Sequence, residues 1–114
     1  MRYMMLLAGD ESLVNPANEG DEGMSPEYAE FVKGAAERGV LQGGERLRPT
    51  ADATTVRVRE GEVLSTDGPF AESKEQLAGY FLMDCKDLDE AIEVAALIPG
   101  AKSGSVEVRP IWEM

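Results

Sequence analysis

The block Asp67-Gly68-Pro69-Phe70-Ala71-Glu72-Ser73-Lys74-Glu75 concentrates the residues of this chain best suited to chemistry. A proline that fixes φ and a permissive glycine can hold the adjacent carboxylate in a defined position. Such a carboxylate can anchor a substrate, or act as a base if burial or a neighbouring acid raises its pKa. Asp67 is therefore the candidate catalytic residue, with Glu72 and Lys74 beside it at the rim of a cleft. A structural alternative stays open, in which Asp67 caps backbone N–H groups and Phe70 packs into the core. Arg46, Arg48, Arg57, Arg59 and Arg109 all fall on or beside expected strands. One account of them is edge solubility and cross-strand pairing with Glu62 and Glu107. The other is that Arg46 or Arg57 lines a pocket and binds a carboxylate or phosphate ligand. Tyr80, on a strand adjacent to that of Tyr3, can offer its phenol to the same ligand or pack in the core.

Other chemistries are excluded by what is missing. The 114 residues contain no histidine, which removes His-based triads, His acid/base catalysis and most catalytic zinc or copper sites. Cys85 is the single cysteine, so no internal disulfide or thiolate cluster can form, and a buried thiol is the expected role. Asp84, Asp87, Asp89 and Glu90 lack the spacing of a calcium loop and are better explained by helix capping. No metal and no cofactor is expected. The formal charge of −11 makes nucleic acid a poor partner. The apolar run at the N-terminus is too short for a signal peptide or a membrane span, so a reduced, cytoplasmic setting is expected.

The elements that must position these residues can be read in order. Residues 2–8 are apolar on both alternating sets, as in a strand buried on both faces. Residues 9–24 read as an acidic, solvated loop. A helix begins at the N-cap Ser25, with Pro26 and Glu27 in its first turn, a stripe of Tyr28, Phe31, Val32 and Ala35, and a stop at Gly39. Gly34 within it costs about 1 kcal/mol relative to alanine and is a candidate for close packing on the sheet. Residues 40–47 form an irregular strand with a bulge at Gly43-Gly44. A hairpin follows, with Thr55 to Arg59 and Val63-Leu64 joined by Glu60-Gly61. Residues 65–75 read as loop with one helical turn, and 76–85 as strand. Asp87 and Glu90 have the spacing of a capping box, opening a helix whose expected stripe is Leu88, Ile92, Ala95 and Ala96 and which closes at Pro99-Gly100. Ser105 to Trp112 is the last strand, and Trp112 is expected at a subunit contact or as an anchor for the tail.

This order defines one α+β domain over residues 1–114, a ferredoxin-like βαββαβ arrangement with an added β-hairpin. Two helices can shield only one face of the sheet, while the strands at 2–8 and 79–85 carry bulky apolar groups on both. An uncovered face of several hundred Å2, at about 25 cal/mol per Å2, is a strong drive to associate. A two-fold homodimer packed sheet against sheet is expected.

Several segments carry a resemblance to a known family. They are the start Met1 to Leu7, the centre Ala53-Thr54-Thr55-Val56-Arg57, the block Thr66 to Glu72 with Lys74 to Leu77, Gly79-Tyr80, and Gly104 to Pro110. Together they resemble the YCII-related, or DGPF-domain, family over nearly the whole chain. The resemblance implies a subunit of the dimeric α+β barrel superfamily, whose members include muconolactone isomerases and small monooxygenases. The residues themselves point to an enzyme-like or small-molecule-binding homodimer with a cleft at the Asp-Gly-Pro-Phe loop, between helices and sheet and lined by Asp67 and an arginine. The His-Asp pair suggested for YCII-like proteins cannot be carried over without a histidine, which leaves Asp67. DGPF proteins are often encoded beside extracytoplasmic-function sigma factors, so the alternative implied is a non-catalytic regulatory or interaction module linked to a sigma factor.

Overall fold

A computed structural model describes residues 1–11 and 25–114, so most of the loop expected at 9–24 lies outside the described residues. Its strands are β1 (Arg2–Gly9), β2 (Leu41–Arg46), β3 (Thr54–Arg59), β4 (Glu62–Asp67), β5 (Gln76–Asp84) and β6 (Ser105–Pro110). The helices are α1 (Pro26–Arg38) and α2 (Leu88–Ala96), with short 3-10 turns at Thr50–Asp52 and Pro99–Lys102.

Both helix starts follow from local chemistry. The Ser25 hydroxyl accepts the Tyr28 N–H, and Gly39 ends α1 in the left-handed region at φ 81°. Asp87 accepts the Glu90 N–H at 2.9 Å, while Glu90 Oε1 accepts the Lys86 N–H at 2.9 Å. The second bond reaches one residue further back than the usual capping box.

The main sheet is antiparallel throughout, in the order β2-β5-β1-β6. Counting only its own four strands, that order is 2-3-1-4, compatible with a ferredoxin-like α+β fold. The core joins Tyr3 and Met5 of β1 and Met83 of β5 to Phe31 and Ala35 of α1 and to Ala91, Val94 and Ala95 of α2. Leu7, Leu41, Phe81, Val106 and Val108 pack against it. Registers place all these sheet residues on one face, so both helices cover that face. The opposite face carries Met4, Leu6, Tyr80 and Leu82, none of which belongs to the core.

Three expectations need correction. The inward stripe of α2 is Ala91, Val94, Ala95 and the following Ile98, spaced i, i+3, i+4, i+7, while Leu88, Ile92 and Ala96 are exposed. Small alanines let the helix sit low on the sheet, so side-chain size pointed to the wrong face. Gly34 is exposed, and a Cβ there would meet nothing within 4 Å, so no close packing depends on it. The β2 irregularity falls at Gln42, between Leu41 and Gly43.

The C-terminal tail is held by Arg2, whose guanidinium forks onto Glu113 at 2.7 and 2.8 Å, and by the Ile111 N–H donating to the Arg2 carbonyl at 2.9 Å. Trp112 is 89% exposed, so its ring does not anchor the tail among the described residues.

Candidate functional site

The Asp-Gly-Pro-Phe turn begins where the β3–β4 hairpin closes. The Glu60-Gly61 end of that hairpin has positive φ at both residues, 52° and 80°, the requirement of a tight two-residue turn. The pairing runs down to Thr54 opposite Asp67, so Ser65 to Asp67 are strand residues and not the loop expected from the sequence. The Gly68 N–H donates to the Ala53 carbonyl at 2.8 Å, and the Thr55 hydroxyl donates to the Gly68 carbonyl at 2.8 Å. Gly68 sits at φ 102°, a conformation that side chains disfavour. Pro69 restricts the next step.

The far side of the loop is held equally firmly, without the expected helical turn. The Gln76 side-chain amide donates to the carbonyls of Ala71 and Ser73 at 3.1 and 3.0 Å. Ser73 Oγ donates to the Glu75 carbonyl at 2.6 Å, and Ser105 Oγ donates to Glu75 Oε1 at 2.6 Å. The loop is thereby tied to the starts of β5 and β6.

Register brings other groups to this end of the sheet. Gly9 lies opposite Gln76, Ala8 opposite Ser105, and Arg46 opposite Gly79. Glu11 takes the Thr50 N–H at 2.9 Å and the Thr50 hydroxyl at 2.6 Å, fixing the link between β2 and β3. Tyr28, at the start of α1, accepts the Gly100 N–H on its phenol oxygen at 3.1 Å. Burial raises the Tyr28 pKa; the Gly100 bond and the positive charge of Arg46 act against that rise.

The candidate side chains do not converge within one chain. Asp67, Glu72 and Lys74 are exposed along the hairpin base and the loop. Arg57 lies opposite Leu64, and strand alternation turns it to the hairpin face away from Asp67. Arg46 belongs to the helix-covered face of the sheet and Tyr80 to the other. Asp67, Arg57, Glu72, Lys74 and Tyr80 make no side-chain hydrogen bond or ion pair among the described residues. Phe70 is 80% exposed, so it does not pack into the core as the structural alternative required, and Asp67 caps no backbone group among the described residues.

Thr55, Gln76, Glu75 and Ser105, which hold the loop, were not singled out as site residues from the sequence. Their bonds join segments far apart in the chain, and no local pattern announces them. A cleft of about 470 Å3 runs between α1 and α2, with Phe31, Ala35, Val94 and Leu97 among its lining and Arg38 and Lys102 on its rim. It lies away from the motif. Among the described residues no helix is long and apolar enough to cross a membrane.

A four-stranded antiparallel sheet with two helices on one face and a constrained Asp-Gly-Pro-Phe turn beside it defines a small α+β protein, compatible with a ferredoxin-like fold. The chain belongs to the YCII-related domain family, which it matches over residues 1–114. It is also 41% identical, over 97% of its own length and 92% of the other's, to an uncharacterized protein of Rhizobium meliloti (strain 1021).

Proposed function

We propose that this protein is a homodimer that binds a small molecule at the Asp67–Phe70 turn. One observation carries the reading: the turn's backbone is held by hydrogen bonds from both sides, while the Asp67 carboxylate has no hydrogen bond or ion pair among the described residues and Phe70 is exposed. A turn built for structure alone has its side chains capping or packing. A turn built for recognition holds its backbone and offers its side chains, because prior ordering reduces the entropy lost on binding. Asp67 is the group to accept a hydrogen bond or a proton from the ligand, and Phe70 the surface for an apolar or aromatic body. Lys74 and Glu72 flank them, while Arg46, Arg57 and Tyr80 are assigned to the ligand through the assembled dimer. If the protein is catalytic, the step that fits is proton transfer by the Asp67 carboxylate.

The second copy is proposed to cover the sheet face bearing Met4, Leu6, Tyr80 and Leu82. Both helices lie on the other side, and apolar burial at about 25 cal/mol per Å2 favours a match between two such faces. The buried free thiol of Cys85 suits the reduced, cytoplasmic setting proposed with it.

The test is thermal-shift screening with aromatic amines, phenols and small carboxylic acids on wild type, Asp67→Asn and Phe70→Ala. The expected result is a compound that raises the wild-type Tm by at least about 2 °C and moves neither variant. Equal shifts in all three proteins, or no shift anywhere in the panel, would overturn the reading.

A further inference from the structure

We infer that the cleft between α1 and α2 is a binding site for a small alkylamine, separate from the Asp67–Phe70 turn and independent of the reading given to it. The sequence explains why the two helices leave a gap. The residue before a proline is pushed out of helical geometry, and Ile98, before Pro99, is extended at φ −66° and ψ 124°. α2 therefore ends at Ala96, and the chain continues into the Pro99–Lys102 turn instead of a longer helix. On the other wall α1 carries Gly34. Its φ is not positive, and a Cβ there would meet nothing within 4 Å. Neither backbone conformation nor close packing calls for a glycine, which weakens the helix it sits in. Its consequence is space, since a long side chain at this position would occupy the cleft.

The cleft holds about 470 Å3, within the range of small-ligand sites. Its width is set from both ends. Arg38 ties α1 to α2 through Glu93 at 3.0 Å and Glu90 at 3.4 Å. The Tyr28 phenol oxygen ties α1 to the Pro99–Lys102 turn by accepting the Gly100 N–H at 3.1 Å. A ligand entering between these ties meets walls already ordered, which limits the entropy lost on binding.

The lining sets the chemistry of the ligand. Buried Phe31, Ala35 and Val94 form the floor, and Leu97 and Pro99 the rim. All but Phe31 are aliphatic, which suits an alkyl body. Four charged residues border this surface. Arg38 is committed to its two carboxylates, whereas Glu27, Glu30 and Lys102 make no hydrogen bond or ion pair among the described residues. Glu27 and Glu30 stand three residues apart and share one face of α1. Two open carboxylates against one ammonium leave the rim net negative, and the whole chain carries −11. Both fields attract a cation and oppose an anion. An alkylammonium meets every requirement: its N–H groups donate to Glu27 and Glu30 while its chain lies over Phe31, Gly34 and Val94.

A 1H–15N NMR titration with hexylammonium, hexanoate and 1-hexanol tests this on wild type, Gly34→Leu, Glu27→Gln/Glu30→Gln and Lys102→Gln. The expected wild-type dissociation constant for hexylammonium is about 1 mM or tighter, with shifts concentrated at residues 27–38 and 94–102. Hexanoate and hexanol should bind wild type at least about 10-fold more weakly, and the glutamine pair should bind hexylammonium at least about 5-fold more weakly. Gly34→Leu should weaken hexylammonium at least about 10-fold while raising Tm, because leucine is the better helix former, so lost stability does not account for the weaker binding. Lys102→Gln should bind at least as tightly as wild type. The absence of a saturable wild-type shift, equal affinity for hexanoate or hexanol, or shifts confined to residues 67–70 would each overturn the inference. So would undiminished affinity in Gly34→Leu or in the glutamine pair, or lost affinity in Lys102→Gln.

Discussion

The hydroxyl of Thr55 reaches across the base of the hairpin to the carbonyl of Gly68, 2.8 Å away and thirteen residues on. This bond fixes the turn that follows Asp67 to the strand opposite it. Thr55→Val keeps the β-branched shape and removes the donor. The expected loss is about 1 kcal/mol in denaturant unfolding, with faster amide exchange over residues 68–75. An unchanged exchange profile would show that the bond does not hold the loop.

Gly68 carries a second constraint, since its φ of 102° is one that a Cβ opposes although nothing crowds it. Gly68→Ala is expected to cost about 1–2 kcal/mol by urea unfolding. Gly34 gives the opposite sign. It lies in the exposed part of α1 with open space around it, so Gly34→Ala should raise stability by up to about 1 kcal/mol.

Glu90 couples stability to pH. Its carboxylate accepts the Lys86 N–H and pairs with Arg38 at 3.4 Å, and both hold its pKa below the ordinary carboxylate value. A carboxyl with a depressed folded pKa stabilises the fold at pH values above its unfolded pKa, about 4.3, and loses that contribution as pH falls through the folded value. Glu90→Gln should therefore lower Tm at pH 7, with the gap from wild type closing below about pH 4. A gap that is constant from pH 7 to pH 3 would remove the charge from the explanation. Glu113, lowered by its hydrogen bond to Arg2, should give the same sign in Glu113→Gln.

Cys85 is buried, and that burial pushes its thiol pKa up. Iodoacetamide should label it slowly in the native protein at pH 8 and promptly in urea. Rapid native labelling would contradict its place in the core.

The parts of the fold legible in the sequence were those with a local cause. Ser25 and Asp87 cap helices through hydrogen bonds spanning three residues, and Glu60-Gly61 marks its turn by residue type. The uncovered apolar face was legible from alternation at Met4, Leu6, Tyr80 and Leu82 against a count of two helices. The inward face of α2 was legible only at Ala95, because the larger Leu88 and Ile92 pointed to the stripe that the structure leaves exposed, while Ala91 and Val94 face the sheet. The extension of β4 to Asp67 depended on its pairing with Thr54, and that one shift in the strand end decides that Asp67 and Arg57 point to opposite faces. The clamps from Thr55, Gln76 and Ser105 depended on where distant loops meet. The motif itself was visible from the start, but the exposure of Phe70 was visible only in three dimensions.

On the proposed function, the Asp67–Phe70 turn holds its backbone for structure and leaves its side chains for a ligand. The most direct measurement is the unfolding free energy of Asp67→Ala/Phe70→Ala against wild type, without ligand and at matched concentration. Side chains that their own chain does not use should leave stability within about 0.5 kcal/mol of wild type. A loss of about 2 kcal/mol or more would mean that they support the fold and are not held out for a ligand.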